Sequence, residues 1–401
     1  MELSKRVSSI SASLTLAITA KAKEMEKKGE DVVNLGAGEP DFDTPYFIKE
    51  ATKQALDNGF TKYTPSSGIK ELKEAISNKY EEEYNLTYSS EEIIVCCGAK
   101  HALFNAIMAL INKGDKVIIP SPFWVSYPEM VKVAGGEPVI LETKEENDFK
   151  INPQDLEKAI SKKTKMLILN SPSNPCGSVY KREELKDIAQ ILAKYNIFCL
   201  FDEIYEKIIY DITHINIATL SRKMKGLTII INGVSKTFSM TGFRIGWALA
   251  TKELIKAMAS IQSHSTSNPT SFSQKGALFA LKSKKSKKIV EKMVKEFKKR
   301  RDYVVGAINS IKGLSCLRPE GAFYIFVNIS SLLNKSYKGN LLKTSLELAK
   351  ILLEEKKLAV IPGIAFGNDN YIRISYAASI KNLKKGVQRL QEFVKETKEL
   401  K

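Results

Sequence analysis

The chain has 401 residues, 43% hydrophobic and 27% charged, which excludes a disordered or low-complexity chain and exceeds what one hydrophobic core supports, so two lobes are expected. Lys and Arg (62) outnumber Asp and Glu (45), giving a formal charge of +17, a balance that raises nucleic-acid and membrane readings. No zinc-finger spacing, basic zipper or aromatic RNA-binding motif accompanies that charge, and no apolar run approaches the roughly 18 residues of a spanning helix, so neither partner is expected.

At the N-terminus, Lys5 and Arg6 precede VSSISASLTLAITAKA, a Ser-rich, acid-free stretch that faintly resembles a targeting peptide but is too polar for a signal core. From about residue 92 to 250, short β-rich runs alternate with helical ones. The predicted strands are Ile93–Cys97, Lys116–Pro120, Glu137–Glu142, Lys165–Asn170, Phe198–Asp202, Leu227–Asn232 and Arg244–Ala250. Helices are predicted at Ala99–Ile111 and at Arg182–Tyr195, where Leu185, Ile188, Ala189 and Leu192 repeat at helical spacing. Strands such as MLILN are apolar without alternation, so both sheet faces are covered. The pattern predicts an α/β fold with a mainly parallel sheet flanked by helices.

After about residue 283 the texture changes. KSKKSKK at Lys282–Lys288 runs straight into EKMVKEFKKRRD and reads as the solvated face of a long helix. GAFYIFVNIS and YIRISYA read as strands, with LLKTSLELAKILLEE as a helix between them. We expect a large domain at residues 40–283 and a smaller α+β domain at 1–39 and 284–401, the first 40 or so residues having no strand of their own. The five cysteines are odd in number and contain no C-x-x-C pair, which fits a reducing cytoplasm and neither a disulfide framework nor a zinc site. His101, His214 and His264 share no ligand spacing, so no metal is expected.

Ligands of open α/β sheets sit at the carboxyl ends of the strands. Asp202 ends one strand, Asn174 follows another in SPSNPCG, and Lys236 follows a third in NGVSKTFSMTGFRIG, eight residues before Arg244. CGAKHA opens a helix whose first amides suit an anion. No Walker loop occurs, and GAGEPD does not fit G-x-G-x-x-G. A strand-end Asp is ordinarily a cap and a loop Lys ordinarily a solvated charge; their combination with an anion cradle is what points to chemistry.

That combination resembles the class I, fold type I aminotransferases that use pyridoxal 5′-phosphate (PLP), in their bacterial aspartate aminotransferase branch. The resemblance runs through SLTLAITAKAKEM, GAGEPDFDTP, KYTPSSGIKELKEAI, CGAKHALFN, SPFWVSYPEM, NSPSNPCG, DEIYE, SKTFSMTGFRIGWALA, EGAFY and YIRISYA. SLTLAITAKAKEM thereby belongs to the mature fold, and no room is left before it for a DNA-binding domain of the kind carried by PLP-fold regulators.

The resemblance implies Lys236 as the Schiff-base lysine and proton shuttle, Asp202 as the partner of the pyridine N–H, and Tyr205 and Asn174 as partners of the ring oxygen. It places the phosphate on the amides of Gly98, Ala99 and Lys100 with Ser235 and Arg244, and Trp124 on the ring. Tyr63 would reach the phosphate of the other subunit, implying a homodimer. Arg373 would grip the substrate α-carboxylate with help from Gly38 and Asn174, and Lys100, Ser13 and Thr15 the distal carboxylate. Two positions depart from the branch, Ala99 for a glycine and His101 for a glutamine, both expected beside the side-chain pocket. The implied reaction is amino transfer from aspartate to 2-oxoglutarate; prephenate or aromatic transamination, and PLP β-elimination, are the alternatives.

Overall fold

The structure, a computed structural model, describes residues 4–399. Seven strands form one sheet: β1 (Ile93–Cys96), β2 (Lys116–Ser121), β3 (Glu137–Glu142), β4 (Thr164–Asn170), β5 (Phe198–Asp202), β6 (Thr228–Gly233) and β7 (Gly246–Leu249). Their order is β1-β7-β6-β5-β4-β2-β3, with β7 antiparallel to both neighbours and every other pair parallel. All seven predicted strands are present to within two residues at each end. β3 lies at the edge and exposes Glu137, Ile140 and Glu142, while β1, β6 and β7 are buried throughout.

The helices that matter here are α1 (Leu14–Lys27), α2 (Lys70–Tyr84), α3 (Ala99–Leu110), α4 (Ser126–Val133), α5 (Arg182–Tyr195), α6 (Lys284–Asn309), α7 (Ser345–Lys356) and α8 (Ile380–Glu396). Alternation along β4 explains how both sheet faces are covered. Leu167 and Leu169 pack with Leu185, Ile188 and Leu192 of α5. Met166 and Ile168 pack on the other face with Leu103, Ala106 and Ile107 of α3.

A second sheet is wholly antiparallel, in the order β10-β11-β9-β8, from β8 (Ser315–Cys316), β9 (Tyr324–Asn328), β10 (Ile361–Pro362) and β11 (Tyr371–Ser375). Ile18, Ala22, Met25, Val33 and Leu35 share its core with Phe297, Phe326, Leu352 and Phe393. Two local expectations are corrected. The N-terminal segment does carry a strand, Val33–Asn34, which pairs in parallel with Leu358–Ala359. The helix expected from Leu341 begins at Ser345, behind a capping box of Thr344 and Glu347, because Asn340–Leu341 pairs with Ser336–Tyr337 instead.

Among the described residues no helix is long and apolar enough to cross a membrane, and no group of three His, Cys, Asp or Glu side chains is placed to hold a metal ion.

Candidate active site

A cavity of about 430 Å³ opens where β4, β5 and β6 end, and β11 of the second sheet closes it with Arg373. Asp202, the last residue of β5, is buried at its floor. Its Oδ2 accepts from Tyr127 Oη at 2.7 Å and its Oδ1 from the Ile204 amide at 3.1 Å. Burial pushes the Asp202 carboxyl up to about 6, against the opposing pull of those two bonds and of the Lys236 charge.

Lys236 stands three residues beyond β6, half-buried, and its Nζ donates to the Gly38 carbonyl at 2.6 Å. Burial brings its amine down to about 8; Arg244 and Arg373 act in the same direction and Glu39 opposes them. Tyr205 Oη pairs with Tyr324 Oη at 2.9 Å.

Arg373 is buried in the middle of β11. Its Nη1 donates to Asn174 Oδ1 at 2.9 Å and its Nη2 to the Gly36 carbonyl at 2.8 Å, while Nε has no partner among the described residues. The guanidinium lies 4.3 Å from the Tyr324 ring centroid and 5.0 Å from that of Phe366. Burial holds it below its ordinary value. Asn174 is fixed in turn: its amide donates to Asn170 Oδ1 at 2.8 Å, and Asn170 Nδ2 donates to the Asp202 carbonyl at 2.8 Å.

At the opposite end Ala99 and Lys100, in the first turn of α3 where amides lack intrahelical partners, line the cavity beside Ser235 and Arg244. Gly98 precedes that helix at φ 90°, and a Cβ there would lie 2.4 Å from Arg244 Nη2, so the guanidinium packs directly against the helix start. Arg244 Nη1 also donates to the Thr241 carbonyl at 2.8 Å. On the outer wall Lys100 Nζ sits 4.8 Å from the Trp124 ring centroid, and burial together with Arg244 lowers its pKa. Ser13 and Thr15, whose hydroxyls are 2.9 Å apart, face it from the start of α1.

Nearly all the expected residues therefore meet around one space. Gly98 lies just behind the lining. Tyr63 does not reach this cavity: its side chain is 90% exposed. Of the two departures, Ala99 lines the cavity, whereas His101 does not; its Nδ1 accepts from the Cys97 amide at 3.4 Å. Sequence reasoning missed Tyr127, Tyr324, Asn170 and Glu39, all of which line the space. Tyr127 had a signal, its three-residue spacing from Trp124, which stacks the two rings edge to face at 5.2 Å. Asn170 opens NSPSNPCG and Tyr324 closes EGAFY, so both lay inside quoted motifs, yet nothing local in those motifs singles out their side chains.

The arrangement offers an amine that loses its proton close to neutrality, a buried carboxylate, a buried guanidinium with donor capacity to spare, and an anion cradle. The family model for aminotransferases of class I and II matches residues 30–390. The aspartate aminotransferase of Bacillus subtilis is 47% identical over 395 residues, covering 98% of this chain and 99% of that protein. A probable aspartate/prephenate aminotransferase of Aquifex aeolicus is 45% identical over 395 residues, covering 98% and 99%. The crystal structure of an aspartate aminotransferase from Rhizobium meliloti superposes with a TM-score of 0.95 at 41% identity, covering 99% of this chain and all of that one. Similarity of this extent, on a site built in this way, makes the chain an enzyme that transfers amino groups and a member of the class I and II aminotransferase family.

Proposed function

We propose that the enzyme carries the amino group of L-aspartate to 2-oxoglutarate, yielding oxaloacetate and L-glutamate, with PLP as cofactor, as a cytoplasmic homodimer. The observation that carries this reading is the placement of Asp202, Lys236 and Arg373 around one cavity. The site fits the cofactor at both ends. Asp202 is a buried carboxylate at the floor, suited to a ring N–H. The α3 amides, Ser235 and Arg244 form a cradle suited to a phosphate dianion.

Bound PLP supplies an electron sink for the negative charge left on the substrate α-carbon. The chain does the rest. Asp202 holds the proton on the ring nitrogen, and Tyr127 fixes the orientation of that carboxylate. Tyr205 and Asn174 would hold the ring oxygen by donating to it, and Trp124 would pack on the ring. The Lys236 amine takes the α-proton, a task for which a pKa of about 8 is well matched. Arg373 takes the α-carboxylate with the N–H groups left free once Asn174 and Gly36 have fixed the guanidinium.

Lys100, Ser13 and Thr15 receive the distal carboxylate. A lysine resting on an indole can also withdraw from an apolar side chain, which supports the second reading, prephenate or aromatic transamination, in line with the name of the Aquifex relative. The exposed Tyr63 supports the dimer. The confinement of the large sheet to residues 93–249 supports a large domain at 40–283, and the shared second core supports a small one at 1–39 and 284–401. Amino transfer from aspartate to 2-oxoglutarate, and from glutamate to prephenate, measured side by side on purified protein, tests the assignment. Aspartate turnover no faster than that of a Lys236→Ala protein would overturn it.

A further inference from the structure

The turn DEIYE faces two ways. Asp202 and Tyr205 line the cavity, whereas Glu203 and Glu206 are buried on the side of α2. Glu203 is completely buried. Its Oε1 accepts from Tyr80 Oη at 2.6 Å and from Asn232 Nδ2 at 3.4 Å. Its Oε2 accepts from His214 Nε2 and from Asn216 Nδ2, both at 2.8 Å. Four donors occupy the acceptor sites of an ionised carboxylate, and none of them is a Lys or Arg. Glu206 differs: Lys79 Nζ lies 2.6 Å from its Oε1, and Tyr84 also donates to it. A carboxylate buried this completely is costly to leave unbonded, and Glu203 itself touches nothing in the cavity.

We propose that Glu203 is a positioning residue for Asp202: it locks the 202–206 turn from behind and sets a negative charge at the neighbouring residue, keeping the Asp202 carboxylate a strong hydrogen-bond acceptor. The inference rests on the reading of Asp202 as partner of the ring nitrogen. The groups facing Asp202 are Tyr127 from α4, the Ile204 amide from its own turn, and Lys236 from the loop after β6. All three favour the ionised form, and the Glu203 charge acts with burial against them. Facing Glu203 are Tyr80 from α2, Asn232 from β6, and His214 and Asn216 from the loop beyond the turn, with the Lys79–Glu206 pair beside them. A like charge on the adjacent residue of a buried turn is expected to be worth about one pH unit.

The test follows the carboxyl carbon of Asp202 by NMR in the full chain freed of cofactor, labelled at aspartate and assigned by the loss of its resonance in Asp202→Asn. Wild-type protein should titrate at about 6. Glu203→Gln should lower that midpoint by about one pH unit. Glu203→Asp keeps the charge and should leave the midpoint near wild type while thermal stability falls, and Glu206→Gln should leave it in place. An unmoved midpoint in Glu203→Gln overturns the proposal, as does a shift of equal size in Glu203→Asp. Should Glu203→Gln fail to fold, a Glu203→Asp midpoint within the ordinary carboxylate range overturns it alone. In the loaded enzyme Glu203→Gln should lower kcat with little change in KM. An Asp202→Asn protein that transaminates normally would refute the role given to Asp202 while leaving the coupling between the two carboxylates measurable.

Discussion

Lys236 has a neighbour on each side of its charge. Glu39 favours the ammonium, while burial, Arg244 and Arg373 disfavour it and prevail, bringing the amine to about 8. Only the neutral amine is nucleophilic, so its reactivity rises with pH and levels off above that value. In protein freed of cofactor, acylation of Lys236 should reach half its maximal rate at about pH 8, whereas unperturbed lysines respond near their ordinary value of about 10.4. Peptide mapping of the modified protein across that range checks it, and a Lys236 that titrates with the bulk would remove the physical basis for its role as base. Lys100 carries the specificity question. It opens α3 with its amide at the anion cradle and its ammonium on Trp124, so backbone and side chain serve different ends of the cavity. Lys100→Ala should cost aspartate and glutamate about 1.5–3 kcal/mol in kcat/KM, the worth of a charged hydrogen bond, and phenylalanine much less. Kinetics with aspartate and phenylalanine decide it: equal losses would show that the side chain serves the cofactor alone.

The two halves of the cavity are built by elements of different kinds. β4, β5 and β6 deliver Asn170, Asp202 and the Lys236 loop to one edge because they run parallel, whereas the anion cradle needs β7 to pass against the first turn of α3. Gly246 is the point of contact: a Cβ there would lie 2.2 Å from the Ala99 nitrogen and 2.6 Å from the Gly98 carbonyl carbon, both backbone atoms that cannot swing away. Gly246→Ala should therefore cost about 1–3 kcal/mol of stability, as overpacking does, and should weaken cofactor binding as well. Gly226→Ala, with nothing within 4 Å of the added carbon, is the control. Denaturant midpoints and cofactor titrations on the two proteins check the contrast, and equal behaviour would contradict it. These elements were legible in sequence to different degrees, for physical reasons. The sheet strands were plain because burial on both faces leaves uninterrupted apolar runs such as MLILN. Leu341–Leu342 read as helix because apolar spacing continues through it; what ends the helix is the pairing of Asn340–Leu341 with Ser336–Tyr337, a tertiary choice that propensity does not encode. Val33–Asn34 was invisible for the same reason, two residues paired to a strand more than 300 positions away. In the site, residues on distinctive loops such as Lys236 and Asn174 were found. Tyr324, reaching in from β9, and Glu203, acting from behind β5, were not, since their meaning lies only in what they meet.

On the scale of the molecule, one segment binds the two sheets around the site. Gly36 accepts from Arg373 of the second sheet, Gly38 accepts from Lys236 of the first, Asp41 pairs with Arg300 of α6 at 2.7 Å, and Thr44 donates to the Ser239 carbonyl at 2.6 Å. Tyr63, by contrast, stands well outside this interlocking. Its ring is exposed, yet its loop is held firmly: Gln274 donates to Thr64 Oγ1 at 3.1 Å, Gln262 to the Ser66 carbonyl at 2.6 Å, and the Val95 amide to the Ser67 carbonyl at 2.9 Å. An exposed aromatic on a fixed loop suits a partner surface, and in a twofold dimer it would complete the site of the other subunit. The consequence can be separated from a role within its own subunit. Lys236→Ala and Tyr63→Ala proteins are each expected to be poor catalysts alone. In a mixed dimer, the subunit lacking the tyrosine keeps Lys236 and receives Tyr63 from its partner, so one of the two sites is whole. Random reassociation of equal amounts makes half the dimers mixed, and activity should recover to about a quarter of wild type. Were Tyr63 to act on its own cavity, every site in the mixture would lack one group or the other, and activity would stay at the average of the two parents. Unfolding and refolding the proteins together, then assaying against each parent treated alike, distinguishes these outcomes; a mixture no better than its parents would refute the shared site.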